Sequence, residues 1–524
     1  MSSARPLPVR PVDDVFMSRR GDLDDGGVGP SSSPPAALHL PTAALSNEHN
    51  WRPSKKRIVL VGGGHAHVQV IKALNRHSCP PDTEVTLIDP QCEASYSGMV
   101  PGCVSGLYTE DETKIRLQPL ADWAGLTFIN KPVADIDVQS RTLFFPDGAS
   151  VGYDVVSIDI GSTTRGFEDV PGAKEHTIPT RPISALTTRI DTAAEQLLAA
   201  QTAAPKDVTV NVVVVGGGAA GIELAFGMKA RWQPLLKNAA GNMSLQVTLL
   251  NHGDQLLASE SAMCRQAVDT SLLSREIRVR HGCEVTAVTA TDVHLTCGEQ
   301  IPCDYCIWAT GASCHPLAST LHARGITTDE RGWFKVGPTL QSLACPSVFA
   351  AGDCCTLVSP DGSKPPPKAG VHAVRSGPIL IHNLLSYVCQ KPLVEYKPQK
   401  DFLRLLMCGD GTALGFRFGI AFSGTWVWQL KDHIDVMFMN LFRAEHLPTS
   451  VASSMNTAQY DKKKMDDFSA DEIECTLAAR ELLRTDEEVD YLRNWAILRR
   501  MMEEEAYKDA VLEIVHSMAS ETSR

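Results

Sequence analysis

The chain has 524 residues, with 49 Lys and Arg against 61 Asp and Glu, and 15 cysteines. Domains usually run about 100–200 residues, so the length predicts roughly three of them. The formal charge of -12 argues against nucleic acid as a main partner. The cysteine content is far below that of a disulfide scaffold, and the N-terminus has no apolar secretory core, so we expect a reducing compartment.

Residues 1–55 predict a disordered N-terminal tail, because they are rich in Pro, Ser, Gly and scattered charge and cannot bury enough apolar area to order. The many aspartates among the arginines argue against a transit peptide. We therefore expect a cytoplasmic protein, with the mitochondrion as the alternative. No stretch reaches 18 apolar residues without a charge, which argues against a transmembrane helix.

The first ordered unit begins with the segment KKRIVLVGGGHAHVQVIKALN at residues 55–75. Ile58 to Val61 form a short apolar run that is typical of a buried parallel strand. Three glycines follow, then a helical pattern, then a second strand that ends at Asp89. This order predicts a βαβ unit.

The same pattern returns at NVVVVGGGAAGIELAFGMKA, residues 211–230, followed by a strand LQVTLLN. We therefore predict an α/β fold with two Rossmann-like dinucleotide-binding domains. After residue 395, FLRLLMCGDGTALGFRFGIAF predicts strand, turn and strand, and TWVWQLKDHIDVMFMNLF predicts a helix, which together form a small α+β C-terminal region. Residues 461–524 hold 10 basic and 17 acidic residues and predict a solvated helical extension.

Glycine spacing indicates what the two loops hold. In a dinucleotide loop the first glycine makes the turn, the second admits the pyrophosphate and the third lets helix and strand pack, while the helix N-terminus offers free N–H groups. Gly216, Gly218 and Gly221 fit this pattern fully. The first loop has Gly62 and Gly64 but His67 at the third position, which requires a wider gap between helix and strand or a different rotamer.

Other polar groups and strand ends accompany the first loop. Asp89 is well placed to accept hydrogen bonds from ribose hydroxyls. We interpret His65 and His67 as a polar lining of the loop and predict no metal site, because no carboxylate or cysteine stands at ligand spacing. Apolar strands also end at Gly161, at the Ala309-Thr310-Gly311 segment and at Gly352-Asp353, as strands that pack close to a cofactor do.

Together these residues resemble the FAD-dependent pyridine nucleotide-disulfide oxidoreductase superfamily over about residues 56–445. The segments VGGGHAH, YSGMVPG (96–102) and GTWVWQLKDHIDVMFM (424–439) are similar to its type II NADH dehydrogenase-like branch. They are most similar to the module that is fused to selenide, water dikinase in some proteins. The kinase is not in this chain, so the resemblance implies no selenium chemistry.

The resemblance implies an FAD-binding domain at residues 56–172 and 325–395, an NAD(P)H-binding domain at 173–324, a C-terminal element at 396–445 and an extension at 446–524. It assigns FAD binding to Gly62, Gly63, Gly64, His65, Ala66, Asp89, Gly352, Asp353, Lys368, Ala369 and Gly370. It assigns NAD(P)H binding to Gly216, Gly218, Gly221 and Gly311. Glu223 matches a catalytic acid near the nicotinamide and flavin, with a helix N-terminal acid favoured by the dipole as the alternative.

The implied reaction passes a hydride from NAD(P)H to FAD, and electrons then go to a small-molecule acceptor, which by resemblance is a quinone. The segment Leu250-Asn251-His252 ends the second strand without the acid that favours NAD. The resemblance favours NADH, and NADPH stays open. A homodimer and peripheral membrane contact also stay open, the latter through Trp426, Trp428, Met437, Phe438, Met439, Leu441 and Phe442, although packing on the body is the favoured interpretation of this stripe.

The cysteines argue against neighbouring chemistries. No C-x-x-x-x-C pair occurs between Cys79 and Cys103, which disfavours a dithiol relay. A sulfide:quinone oxidoreductase-like enzyme, the second alternative function, is disfavoured because no cysteine lies between Cys103 and Cys264. The first alternative is a flavin-binding redox sensor or interaction protein with little turnover. We interpret the pair at 303 and 306 and the pair at 354 and 355 as buried packing residues.

Overall fold

A computed structural model describes residues 55–75, 79–80, 82–200, 208–238, 243–399, 401–443 and 447. The predicted N-terminal tail and the predicted acidic extension, apart from one residue of each, lie outside the described residues. Among the described residues, no helix combines the length and the apolar character that crossing a membrane requires.

The chain from residue 55 to residue 200 alternates short strands with helices. Its strands are β1 (Lys56–Val61), β2 (Thr83–Ile88), β3 (Glu93–Ser95), β4 (Lys114–Arg116), β5 (Thr127–Ile129), β6 (Asp135–Asp137), β7 (Thr142–Phe144), β8 (Ser150–Gly152), β9 (Val155–Ile158), β10 (Thr163–Thr164) and β11 (Thr177–Pro179). Its helices are α1 (His65–Ala73), α2 (Val100–Ser105), α3 (Leu117–Ala124), α4 (Ala173–His176) and α5 (Leu186–Ala200).

The chain from residue 208 onwards continues this alternation. Its strands are β12 (Thr209–Val215), β13 (Ser244–Leu250), β14 (Ile277–Arg280), β15 (Val285–Val288), β16 (Asp292–Leu295), β17 (Gln300–Pro302), β18 (Tyr305–Trp308), β19 (Ala312–Ser313), β20 (Phe334–Val336), β21 (Val348–Ala350), β22 (Cys355–Leu357), β23 (Arg404–Met407), β24 (Ala413–Arg417) and β25 (Ile420–Gly424). Its helices are α6 (Ala219–Asn238), α7 (Ala262–Ser274), α8 (Leu317–Ala323), α9 (Gly370–Val388) and α10 (Thr425–Asn440).

The first large sheet is parallel and is built around β1. Its strand order is β21-β9-β1-β2-β5. The apolar side chains from Ile58 to Val61 are buried, as expected for a parallel strand that is covered on both faces. Because the strands are parallel, the carboxyl ends of β1, β2, β9 and β21 lie along one edge, which is where such sheets bind ligands.

The second large sheet repeats this arrangement around β12. Its strand order is β11-β18-β12-β13-β14, again parallel throughout. The Asp159 N–H donates to Val61 O at 2.8 Å in the first sheet, and the Ala309 N–H donates to Val215 O at 2.8 Å in the second. Asp159 and Ala309 therefore occupy equivalent positions, and the predicted pair of Rossmann-like sheets is confirmed.

The C-terminal element is an antiparallel sheet, β23-β24-β25, followed by α10. The prediction of strand, turn and strand was wrong, because a third strand is present. Arg417 pairs with Ile420, and the two residues between them, Phe418 and Gly419, have φ of 51° and 75°. Positive φ at both positions makes a tight two-residue hairpin, which reverses the chain where one continuous strand was expected.

Candidate functional site

The second glycine loop follows β12 and has the geometry of a dinucleotide loop. A Cβ added to Gly216 would lie 2.2 Å from Ala309 O, and one added to Gly221 would lie 1.9 Å from Gly216 O. These two positions therefore require glycine for the turn and for helix packing. A Cβ at Gly218 would meet nothing within 4 Å, so this residue borders open space where a phosphate can approach.

The residues beside the second loop differ from those of a typical NAD site. Asn251 follows β13 and donates from Nδ2 to Gly253 O at 2.7 Å and to Gln255 O at 3.0 Å. Gly311 follows β18 with φ of 101° and open space around its Cα. An uncharged amide at the end of β13 provides no carboxylate for a ribose, as expected from the sequence.

In the first glycine loop a histidine occupies the third position, where a glycine would let helix and strand pack closely. The His67 side chain is fully buried, with Nδ1 at 2.6 Å from Gly62 O and Nε2 at 2.8 Å from Ser157 Oγ. The carbonyl can only accept, so Nδ1 carries the proton and the serine hydroxyl donates to Nε2. Burial lowers the His67 pKa to about 4, which keeps the ring neutral. The imidazole thus fills the gap between helix and strand, and both of its nitrogens are occupied.

Asp159 lies at the centre of the first loop, and the sequence analysis did not identify it. Its Oδ2 accepts hydrogen bonds from the N–H groups of Ala66 at 2.9 Å and His67 at 3.2 Å, in the first turn of α1. A Cβ at Gly64 would lie 2.2 Å from its Cγ. The signal in the sequence was the aspartate in SIDIG, directly after an apolar strand, because the equivalent position in the other sheet holds the uncharged Ala309.

The remaining residues predicted to bind FAD come from separate elements and meet at this edge of the sheet. Asp89 follows β2 and accepts the N–H of Gly63 at 2.6 Å. Asp353 follows β21, with Ser162 Oγ at 3.4 Å and Arg181 Nη2 at 3.8 Å from its Oδ2. A small cavity is lined by residues that include Gly352, Asp353, Lys368, Ala369 and His372.

Lys368 and the start of α9 form one wall of this cavity. Lys368 Nζ donates to Cys355 O and lies 4.4 Å from the centre of the Trp333 ring. Ala369 is the N-cap of α9 in extended conformation, and Gly370 is the first residue of the helix. Lys368 and Ala369 of the predicted stretch therefore line the cavity beside Gly352.

The residues around the first loop fit a dinucleotide such as FAD. Nε2 of His65 is buried and has no hydrogen-bond partner among the described residues, which suits a bound polar group. Free N–H groups at the helix N-terminus, glycines at φ of 93° (Gly62) and 72° (Gly352) and polar side chains at the strand ends lie together here, as a dinucleotide site requires. Within the described ranges, no group of three or more His, Cys, Asp or Glu side chains could hold a metal ion.

Glu223 lies near the start of α6 and faces the C-terminal element. Its Oε1 accepts the N–H of Met407, in β23, at 2.9 Å. Burial raises the pKa of Glu223 to about 7, although the Lys431 charge and the Met407 N–H oppose the shift. The carboxyl group therefore titrates near neutral pH, which suits a residue that exchanges protons.

Lys431 on α10 donates a hydrogen bond to the YSGMVPG segment and interacts electrostatically with Glu223. Its Nζ donates to Gly98 O at 2.7 Å and to Asp435 Oδ2 at 2.6 Å, and the side chains of Lys431 and Asp435 are both buried. Burial opposes the charge on Lys431, but Asp435 and Glu223 together raise its pKa. Neither residue was predicted to belong to the site, although a Lys and an Asp at i, i+4 spacing in an apolar helix were a signal for a buried ion pair.

The apolar stripe of α10 packs mainly on the body of the protein. The Phe438 ring lies 4.8 Å from Tyr96 and 5.1 Å from Phe442, between ring centres. Trp426, Phe438, Met439 and Phe442 are buried. This burial agrees with the packing interpretation that the sequence favoured.

The paired cysteines lie in apolar surroundings. Cys303 and Cys306 belong to a buried hydrophobic cluster of the second sheet. Cys354 is buried, and its hydrogen bond with Cys355, together with burial, raises its thiol pKa well above the usual value. A protonated thiol is a poor nucleophile, so the geometry favours the packing interpretation.

Comparisons with known proteins agree with this geometry. The family model for pyridine nucleotide-disulphide oxidoreductases matches residues 56–377, more than half of the chain. The chain is 25% identical over 386 residues to demethylphylloquinone reductase NdbB of Synechocystis sp., covering 71% of this chain and 89% of that protein. It is 29% identical over 209 residues to the type II NADH:quinone oxidoreductase of Haemophilus influenzae, covering 39% of this chain and 46% of that protein.

Solved structures share the fold. The sulfide:quinone oxidoreductase from Aquifex aeolicus matches with a TM-score of 0.61 at 17% sequence identity, covering 75% of this chain and 93% of that chain. At this identity the similarity concerns the fold alone. The family model, the two parallel sheets and their glycine loops lead to one conclusion: the chain belongs to the pyridine nucleotide-disulphide oxidoreductase family.

Proposed function

We propose that this protein is an FAD-dependent NAD(P)H dehydrogenase that passes electrons to a quinone. The observation that carries the proposal is the placement of Glu223 and the Lys431–Asp435 pair where the second glycine fold, the YSGMVPG segment and α10 meet. The names of the relatives support it, because both include reduction of a quinone or phylloquinone derivative.

The proposed FAD domain comprises residues 56–172 and 325–395. There Gly62, Gly63, Gly64 and the first turn of α1 would hold the pyrophosphate, with Asp89 on the adenosine ribose and Asp353 on the ribityl chain or the flavin phosphate. The stretch from Lys368 to Gly370 would pass under the ring system. When bound, FAD supplies hydride acceptance and two-electron transfer.

The proposed NAD(P)H domain comprises residues 173–324, with Gly216, Gly218 and Gly221 around the pyrophosphate and Gly311 beside the cosubstrate. The open space at Gly218 supports this assignment. We favour NADH, because a relative is named as an NADH:quinone oxidoreductase. NADPH is the second candidate, because Asn251 leaves the ribose without a carboxylate partner.

Glu223 is proposed to manage protons for the acceptor. Two-electron reduction of a quinone to a quinol consumes two protons. Glu223 Oε2 can hold one of them near pH 7, because Oε1 already accepts the Met407 N–H and burial favours the neutral acid. Lys431 Nζ donates two of its three protons in hydrogen bonds, to Gly98 O and to Asp435 Oδ2. These two bonds fix the position of the ammonium group whose charge acts on Glu223.

The test is the absorbance spectrum of the purified full-length protein. We expect a yellow protein with an oxidised flavin spectrum that NADH bleaches under anaerobic conditions and that a soluble quinone restores. Bound FAD that neither NADH nor NADPH bleaches would leave the redox sensor as the better description. Bleaching by sulfide in place of either nucleotide would favour the sulfide:quinone alternative, and a purified protein without flavin would contradict the whole proposal.

Gly218→Val is the matched control for the domain assignment. Its side chain would enter the open space at the second loop, so NADH should no longer bleach the flavin, while dithionite should still do so. Loss of FAD from this variant would contradict the assignment of the second loop to NAD(P)H. An unchanged far-UV circular dichroism spectrum would show that the variant remains folded.

Membrane contact and the oligomeric state of the proposed enzyme are tested separately. A membrane-dissolved quinone requires peripheral contact with a bilayer, and α10 contributes little because most of its apolar stripe is buried. Flotation with lipid vesicles tests the contact, and light scattering tests the homodimer. The closer similarity to the module fused to selenide, water dikinase stays a prediction from the segments VGGGHAH, YSGMVPG and GTWVWQLKDHIDVMFM.

A further inference from the structure

The two glycine folds of this chain carry different residues at the buried position that follows β9 in the first and β18 in the second. In the second fold Ala309 follows β18, and the space around Gly218 is open. In the first fold Asp159 follows β9, and its carboxyl group fills the space beside Gly64. The two residues make the same backbone hydrogen bond, to Val61 O and to Val215 O, so their side chains decide whether the space beside the loop is filled.

The Asp159 carboxyl group uses the donors that a phosphate group would use. Its Oδ2 accepts the N–H groups of Ala66 and His67, and the N-cap residue Gly64 contributes no side chain of its own. Its Oδ1 also lies 2.5 Å from where a Cβ at Gly352 would stand. The carboxyl group therefore lies between Gly64, which the proposed FAD site assigns to the pyrophosphate, and Gly352, which is predicted to bind FAD.

Asp159 cannot easily stay ionised beside a second anion. Only 3% of the residue is exposed, so water screens its charge poorly. Burial, assisted by Asp353 and Asp89, already raises its pKa to about 7, and two backbone N–H groups oppose this shift. A diphosphate would add two negative charges at the same place and stabilise the neutral acid further.

We propose that FAD binds to the first glycine loop together with one proton, which is taken from solvent and held on the Asp159 carboxyl group. The proposal rests on the proposed function, since it requires FAD at the first loop. It predicts that the affinity for FAD falls as the pH rises, because proton uptake on binding makes binding weaker at lower proton concentration. NAD(P)H binding at the second loop should lack this dependence, because Ala309 carries no ionisable group.

The other titratable groups around Asp159 change charge in different pH ranges. Burial lowers the pKa values of His65, His67 and His372, so these rings are neutral above pH 7. The hydrogen bond with Cys355, together with burial, raises the thiol pKa of Cys354. The groups that face Asp159 or its immediate neighbours are His65 and His67 on α1, Asp89 after β2, Asp353 and Cys354 after β21, Arg181 beside Asp353, and His372 on α9.

The experiment measures FAD release from the holoprotein between pH 6 and pH 9. The holoprotein is diluted to low concentration, and the fluorescence of released FAD is followed to equilibrium. For the unmodified protein we expect the dissociation constant to rise by up to about tenfold per pH unit above pH 7, as uptake of one proton requires. Asp159→Asn and Asp159→Ala should give a nearly flat profile and hold FAD more tightly at pH 9.

Asp154→Asn is the matched control. Asp154 also accepts a backbone N–H, that of Arg57 at 2.7 Å, but at the opposite end of β1, so its replacement should leave the pH profile unchanged. An independent reading is the infrared band of a protonated carboxylic acid in the FAD-bound protein at pH 8. This band should be present in the unmodified protein and absent in Asp159→Asn.

Several results would overturn the proposal. FAD that binds with no pH dependence in the unmodified protein would refute it and leave the proposed function standing. The same pH slope in both Asp159 variants, or loss of FAD at every pH from variants that remain folded, would also refute it. If neither variant folds, the infrared spectrum of the unmodified holoprotein decides, and absence of the acid band refutes the proposal. A protein that binds no FAD at any pH would overturn the proposed function as well.

Discussion

Replacing His67 by glycine is the sharpest test of how the first loop departs from the family pattern. The substitution removes a fully buried ring and its contacts with Gly62 O and Ser157 Oγ. Removing a buried aromatic ring costs about 3–5 kcal/mol, and glycine inside a helix costs about 0.5–1 kcal/mol more than alanine. Because the two former partners also remain buried without a hydrogen bond, we expect the free energy of unfolding to fall by about 5 kcal/mol.

The second fold supplies the compensating change. There Gly221 and Ile307 stand at the positions equivalent to His67 and Ser157. Ser157→Ile alone should destabilise the protein by about 1–3 kcal/mol, because it overpacks the core against the imidazole ring. The double variant His67→Gly/Ser157→Ile should recover about 3 kcal/mol relative to the sum of the single losses, which offsets the Ser157→Ile loss.

Urea unfolding followed by circular dichroism measures the free energy of unfolding of the unmodified protein, the two single variants and the double variant. Hydrogen exchange of peptides that cover β1 and β9 shows where in the protein the stability is lost. The order of stability should be unmodified protein, then Ser157→Ile, with His67→Gly below the double variant. A cost under about 1 kcal/mol for His67→Gly, or strictly additive losses, would refute the reasoning that the ring fills the gap between helix and strand.

Three further predictions concern the pH dependence and the two loops. The His67 pKa is 6.5 in the unfolded chain and about 4 in the folded protein, so the stability that the neutral ring contributes is complete above pH 6.5 and is lost as the pH falls towards 4. An acid titration of the free energy of unfolding should show a loss of about 3 kcal/mol from this group. A loss of equal size in His67→Phe would contradict this. Glu223→Gln should remove the decline of quinone reduction above pH 7 in stopped-flow traces, and an unchanged pH profile would exclude Glu223 as the proton donor. Gly221→Ala should lower both stability and NADH affinity, since its Cβ would lie 1.9 Å from Gly216 O, whereas Gly218→Ala should lower NADH affinity alone; equal melting temperatures for these two variants would contradict the assignment of their roles.

Local pattern was sufficient for the parallel sheets. The valine-rich run of β12 and the β-branched run of β1 are apolar throughout because both faces of a parallel strand are covered, so periodicity and glycine spacing identified them without tertiary information. The same approach missed the boundary between β24 and β25. A two-residue turn at Phe418 and Gly419 requires a non-glycine residue at positive φ, which local propensity disfavours and the sheet imposes.

The charged groups of the candidate site depended on long-range contacts. Asp159 and Ala66 are 93 residues apart in sequence, and Glu223 and Met407 are 184 residues apart. Nothing in the local sequence states that a carboxyl group at the end of one strand will accept hydrogen bonds from the helix that follows another. The strand order of the sheet makes this contact, because β9 lies beside β1.

The two glycine loops, the strands that lead to them and the membership of a family of oxidoreductases could be predicted from the sequence, because they depend on backbone conformation and on apolar runs that are local in the chain. Which loop is open and which is filled depends on tertiary packing. That difference arises from Asp159 and Ala309, which meet glycines far away in the sequence, and burial of Asp159 changes the ionisation of its carboxyl group. The electrostatics of the site is thus a property of the packed sheets.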